Sequence, residues 1–166
     1  GYSPNVEPEV IKALQVVQDY PDPIARQLRN VLAEQNNVNP ENIILAAGSE
    51  SIISILCRTF FLNNEEAITA DATFVGFFVQ ANIRGISLKK VPVTDDYRFD
   101  LTAMAKAISD RTKMIYIANP NNPTGTYITR SEFEQFMRKV PDDVLVVMDE
   151  AYYEYAKNVS DYPHSL

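Results

Sequence analysis

Five short runs of aliphatic and β-branched residues, at 43–47 (IILAA), 67–70, 87–93, 113–118 and 144–148, are separated by stretches with helical spacing, and this alternation constrains the fold more than any other feature. Strands joined through helices cannot pair as hairpins. They line up in parallel, and a parallel sheet must be covered on both faces. The expectation is an α/β fold of three layers, a mostly parallel sheet with helices on both sides.

The helical stretches carry their own punctuation. One is expected at 7–19, with Pro8 in its first turn and Val10, Ile11, Leu14 and Val17 at helical spacing, ended by Tyr20-Pro-Asp-Pro23. A second is expected at 24–35, ahead of Asn36-Asn37, and Asn39-Pro40 opens a short turn. The stretch 49–61 is apolar enough to be placed in the interior. A helix at 74–83 should stop at Gly85, Asp100 should cap a helix running to 109, and Thr129 with Glu132 forms a capping box opening a helix to 139.

With 166 residues and 46% hydrophobic content, one core of ordinary size is expected. Acidic side chains outnumber basic ones by 22 to 15, a net charge of −7, and no cluster of Lys or Arg could track a phosphate backbone, so no nucleic-acid partner is expected. No apolar stretch approaches the roughly 20 residues of a membrane-spanning helix, and the first residues lack the pattern of a secretory leader. The expected location is cytoplasmic. The single cysteine, Cys57, lies in an apolar run and reads as a buried, inert thiol. Both ends look cut, as if the sequence were a piece of something longer.

Ligands of open α/β sheets bind at the carboxyl ends of the strands, so the loops there are the candidate sites. Gly48-Ser-Glu-Ser51 follows a run and opens a helix; its amides could hold a phosphate, or Ser49 and Glu50 could simply cap the helix. Asn119-Pro-Asn-Asn-Pro-Thr-Gly125 places Asn122 between turn-forming residues, either as a fixed amide donor or as a turn without a ligand. Asp149-Glu-Ala-Tyr152 ends the most apolar run; Asp149 should cap the next segment or meet a positive charge, and Tyr152 could aim a phenol at the same spot. Phe74 begins where a flat molecule could stack, though aromatic packing is its default reading.

Several chemistries are absent. The five glycines form neither a G-x-G-x-x-G nor a Walker loop, and one histidine, His164, cannot build a His-rich metal site or a Ser-His-Asp triad. His164 reads as a solvated tail residue.

Taken in order, Tyr20-Pro-Asp-Pro23, Gly48-Ser-Glu50, Ala72-Thr-Phe74, Asn119 to Gly125 and Asp149-Glu-Ala-Tyr-Tyr-Glu-Tyr155 resemble the fold type I pyridoxal-phosphate aminotransferases, over essentially the whole chain. Within them the closest resemblance is to the histidinol-phosphate aminotransferase group; threonine-phosphate decarboxylases and aromatic aminotransferases share much of the set. The resemblance implies that residues 1–166 are part of the large, pyridoxal 5′-phosphate-binding domain with its N-terminal segment, without the rest of that domain or the small domain. It implies transfer of an amino group between L-histidinol phosphate, an amino phosphate, and 2-oxoglutarate, a 2-oxo acid. Asn122 and Tyr152 are implied as donors to the cofactor's phenolic oxygen, Asp149 as partner of the pyridine nitrogen, Phe74 as the stacking ring, and the Ser49 and Glu50 amides as phosphate ligands. Tyr20 is implied to reach the neighbouring subunit's site in a homodimer, and the Asn122-Pro123 bond to be cis.

Some positions depart from that pattern. Ala72 stands where the family usually has proline, and the usual Asn-Glu-Asn-Pro segment ahead of Gly1 is missing. The lysine to which the family joins its cofactor has no counterpart: Lys157 is too close to the 144–148 run and lacks the preceding serine. No catalytic residue is therefore assigned within the chain, which alone is expected to be inactive. An inert or binding-only remnant is the alternative from another class.

Overall fold

A computed structural model describes residues 7–17, 20–62 and 64–163. They fall into two compact units divided between Leu45 and Ala46.

The first unit is helical. Helix α1, Glu7–Ala13, passes into a 3-10 turn, Leu14–Val16, so the regular helix is shorter than its apolar spacing suggests. Helix α2, Arg26–Gln35, begins two residues later than expected because Asp22 turns back on the chain: its carboxylate oxygens accept from the amides of Ile24 (3.2 Å) and Arg26 (3.1 Å). These bonds hold the Asp22 carboxyl below its ordinary range. Asn39 and Asn42 close a capping box around Pro40–Asn42.

The run at 43–47 does not form the expected strand. Among the described residues no strand pairs with it, and Ile44 is 67% exposed. Apolar, β-branched composition without a pairing edge does not make a strand, because extended backbone leaves its polar groups unsatisfied.

The second unit is the α/β layer. Helix α3, Ser49–Thr59, precedes strand β1, Glu66–Ala70; α4, Val75–Arg84, leads to β2, Ser87–Val91; α5, Leu101–Ala107, to β3, Thr112–Ala118; and α6, Arg130–Met137, to β4, Leu145–Asp149, with a short α7, Tyr153–Ala156, beyond. The four strands are parallel in the order β2-β1-β3-β4. Punctuation behaves as read: Gly85 ends α4 at φ 73°, Asp100 Oδ1 accepts from the Ala103 amide (2.8 Å), and Thr129 with Glu132 completes the capping box of α6.

Alternate side chains of the central strands feed two cores. Ala67, Met114, Tyr116 and Ala118 pack with Ile53, Cys57, Phe77 and Ala81 from α3 and α4, whereas Ile68, Ala70, Ile115 and Ile117 pack with Met104 and Phe136 from α5 and α6. This is the three-layer arrangement expected. Cys57 is 1% exposed and burial pushes its thiol up, as an inert core thiol requires. Helix α3 is not wholly interior: Ile53 and Cys57 are buried, but Ile55 is 40% exposed, so part of its apolar excess lies at the surface. Strand β4, the most apolar, lies at the edge of the four-stranded sheet and is half-buried throughout.

Candidate functional site

Strand β2 is added to one side of β1, and β3 and β4 to the other. The loops leaving β1 and β3 therefore diverge at their carboxyl ends, which is where an open sheet leaves a crevice. A cleft of about 130 Å³ lies there, lined by Ser49, Phe74, Ala118, Pro120, Asn122, Asp149, Ala151 and Tyr152. Five residues singled out in the sequence thus come together from four separate segments.

The loops are fixed by residues that do not line the cleft. Asn121, 3% exposed, accepts at Oδ1 from Thr73 (2.8 Å) and donates through Nδ2 to the Ala72 carbonyl (2.9 Å) and the Thr124 hydroxyl (2.8 Å). It clamps the loop carrying Phe74 to the loop carrying Asn122. The Gly125 amide donates to the Asn121 carbonyl (2.8 Å) with Gly125 at φ 71°, a left-handed conformation that glycine adopts without strain. Asn119, fully buried, donates its backbone N–H to the Asp149 carbonyl (2.9 Å) and accepts at Oδ1 from the Ile128 backbone N–H (2.9 Å). The Tyr162 hydroxyl reaches the Asn119 carbonyl and the Glu150 carboxylate (3.2 Å). Both Asn119-Pro120 and Asn122-Pro123 are cis; only the second was expected.

Asp149 is half-buried. Its Oδ2 accepts from the Tyr116 phenol (2.6 Å) and its Oδ1 from the Ala151 amide (3.1 Å). Burial, and then the bond to Asp149, raise the Tyr116 phenol far above its ordinary value, so it stays a donor. Phe74 forms one wall, and its ring is held close by Gly76: a β-carbon there would come within 2.4 Å of the ring. At the N-terminus of α3, Gly48 caps without a side chain; the Ser51 and Ile52 amides donate to its carbonyl, and no capping side chain competes for the amides of Ser49 and Glu50 ahead of them.

A carboxylate, a neutral amide, a phenol, an aromatic wall and a helix N-terminus suit a flat heteroaromatic molecule bearing an anionic group. The Glu50 side chain is not among the lining groups; it accepts from Gln80 (3.2 Å). Tyr20 belongs to the other unit and is fully exposed. Lys157 pairs with Glu154, whose hydrogen bond pushes its ammonium up, so it is no free amine; His164 lies outside the described residues. Sequence reasoning missed Tyr116, Asn121, Tyr162 and Gly76. Only Tyr116 carried a signal, since a phenol inside an apolar run needs a partner.

Comparison with known proteins places the chain in a family. The chain is 42% identical over its whole length to the histidinol-phosphate aminotransferase of Geobacillus sp. (strain WCH70), covering 45% of that protein. The chain spans less than half the length of the curated relatives it matches. Among solved structures, histidinol-phosphate aminotransferase from Sinorhizobium meliloti, in complex with pyridoxal-5′-phosphate, superposes with a TM-score of 0.85 at 28% identity over 93% of this chain and 42% of that one. L-threonine-O-3-phosphate decarboxylase from Porphyromonas gingivalis gives 0.77 at 21% identity, over 90% of this chain and 45% of that one, which shows a shared fold alone. The sequence profile of aminotransferase class I and II matches residues 4–164, and the chain belongs to that family.

Proposed function

We propose that the polypeptide carrying this sequence is a pyridoxal 5′-phosphate-dependent aminotransferase that exchanges an amino group between L-histidinol phosphate and 2-oxoglutarate, and that this chain supplies part of its cofactor-binding domain. The observation that carries the reading is the convergence of Ser49, Phe74, Asn122, Asp149 and Tyr152 on one cleft at the switch point of the sheet. Identity of 42% to a histidinol-phosphate aminotransferase supports the choice of substrate.

The residues present fit this cofactor. The Asp149 carboxylate would meet the pyridine nitrogen and hold a proton on it. The Asn122 amide and Tyr152 phenol would donate to the phenolic oxygen, Phe74 would cover one ring face, and the Ser49 and Glu50 amides would receive the phosphate. When bound, pyridoxal phosphate supplies an electron-poor ring that accepts the electron pair released at the substrate's α-carbon. Asp149 serves that chemistry because a charge opposite the nitrogen favours its protonated form. No lysine lines the cleft among the described residues, so neither a covalent anchor nor a base at the α-carbon is assigned here. The 166-residue chain by itself should bind the cofactor weakly and not turn over.

A homodimer and a cytoplasmic location belong to the same reading. Val10, Ile11, Leu14 and Val17 are 48 to 73% exposed and Tyr20 is fully so, an apolar surface suited to a second subunit. Among the described residues no helix is long and apolar enough to cross a membrane. The test is to incubate the full polypeptide, loaded with pyridoxal phosphate, with L-histidinol phosphate and follow the absorbance change to the pyridoxamine form. Absence of that half-reaction would sink the substrate assignment.

A further inference from the structure

We infer that Tyr116 is a positioning residue: from within the core its phenol fixes the Asp149 carboxylate in the orientation that meets the ring nitrogen of the cofactor. The inference rests on the reading of the site given above.

Tyr116 sits mid-way along β3, 1% exposed, with its ring stacked on Phe77 at a centroid distance of 4.2 Å and an interplanar angle of 3°. Its backbone is pinned too, since the Thr69 hydroxyl donates to its carbonyl (2.9 Å). Register pairs Tyr116 with Val147 on β4, and residues two apart on a strand share a face, so Asp149 follows Val147 on the side where Tyr116 lies. The phenol thus spans from the core to the end of the neighbouring strand and donates to Oδ2 at 2.6 Å. Its raised ionisation range keeps it a donor at any working pH.

A carboxylate offers about four acceptor positions. Tyr116 and the Ala151 amide occupy one on each oxygen, on the protein side, and leave the rest for the cleft that Asp149 lines. Packing alone does not require the hydroxyl. Phenylalanine would fill the stack on Phe77, and a buried hydroxyl costs free energy unless it is paired. What the hydroxyl adds is a fixed rotamer for the Asp149 carboxylate.

The test compares two ligands in the full polypeptide. Pyridoxamine 5′-phosphate carries the ring nitrogen; its 1-deaza analogue has a C–H in that place. Isothermal titration should show Tyr116→Phe weakening the first by about tenfold and the second by less than twofold, with the ring 15N resonance of labelled, bound pyridoxamine phosphate moving toward its unprotonated position. Equal losses for both ligands would mean that Tyr116 only fills space, and no loss for either would mean that Asp149 orients itself; each overturns the inference. Asp149→Asn separates the two levels. If it also fails to distinguish the ligands, the assignment of Asp149 to the ring nitrogen falls; if it distinguishes them and Tyr116→Phe does not, only the role of Tyr116 is lost.

Discussion

Two carboxylates mark opposite ends of the sheet and are treated differently. Glu66, at the amino end of β1, is fully buried and meets Lys89 (2.8 Å), Arg111 (3.1 Å), Ser109 (2.6 Å) and Thr112 (3.1 Å), so both of its oxygens are enclosed by protein. Asp149, at the carboxyl end of β4, is half-buried, receives two neutral donors and opens on a cleft. The first has its charge compensated within the fold. The second meets no cation among the described residues, and on the proposed reading its charge is left for the cofactor. Acidic character at a strand end therefore says little about function; what distinguishes the two is whether a counter-charge is already present.

The largest effect tests that distinction directly. Asp149→Asn in the full polypeptide should weaken pyridoxamine 5′-phosphate by about 100-fold, the cost of removing one partner of a desolvated charge pair, while the thermal midpoint barely moves. A large fall in stability with unchanged affinity would reverse the comparison.

Glu66→Ala should do the opposite, lowering stability by about 2 kcal/mol in chemical denaturation and leaving cofactor affinity within twofold. The figure stays modest because the Lys89 and Arg111 side chains are 36% and 61% exposed and can turn to water. A pH dependence accompanies it. Burial alone would raise the Glu66 carboxyl, but the bonds from Lys89, Ser109 and Thr112 outweigh burial and hold it below its ordinary value of 4.5. A carboxyl depressed in the fold stabilises fully above its unfolded value and loses that contribution as pH falls through the folded one. Wild type should therefore lose stability more steeply than Glu66→Gln below about pH 4.5.

The two ends also differed in how far they could be read beforehand. Strands β1, β3 and β4 announced themselves because local composition and helical spacing between them agree with the pairing they adopt. The run at 43–47 had equal composition but no edge to join, and pairing is a long-range property. At the carboxyl end, the loop motifs gave Asn122, Asp149 and Tyr152 through resemblance, but not Asn121, although it sits beside Asn122. Which asparagine points into the loops and which lines the cleft depends on contacts with Ala72 and Thr73, about fifty positions away in the chain. At the amino end, nothing near Glu66 indicated that it would be buried, since its partners lie on β2, on β3 and in the turn before β3.

Gly76→Ala sharpens the comparison by moving one wall without touching a charge. A β-carbon would lie 2.4 to 2.6 Å from the Phe74 ring, which must swing away. Alanine is the better helix former, so the thermal midpoint should hold or rise, while affinity for pyridoxamine phosphate falls by about tenfold as the stacking surface is displaced. Parallel loss of stability and affinity would mean that the helix, rather than the ring, had moved.

Position at the carboxyl end is not by itself a sign of function, and Thr129 offers the smallest and cleanest check. It follows the loop that carries Asn122, yet its polar groups are closed on themselves: its hydroxyl accepts from the Glu132 amide (3.3 Å), and the Glu132 carboxylate accepts from the Thr129 amide (2.6 Å) and from Arg98 (2.6 Å). No acceptor or donor of this capping box is assigned to the cleft, which Thr129 does not line. Thr129→Ala should cost about 1 kcal/mol in denaturant unfolding, the usual value of a lost N-cap, and leave the dissociation constant of pyridoxamine phosphate within twofold. If affinity fell with it, the loop from Asn119 to Thr129 would be acting as one unit whose far end sets the near end. The boundary between enclosed and available polar groups would then have to be drawn around whole loops instead of individual residues.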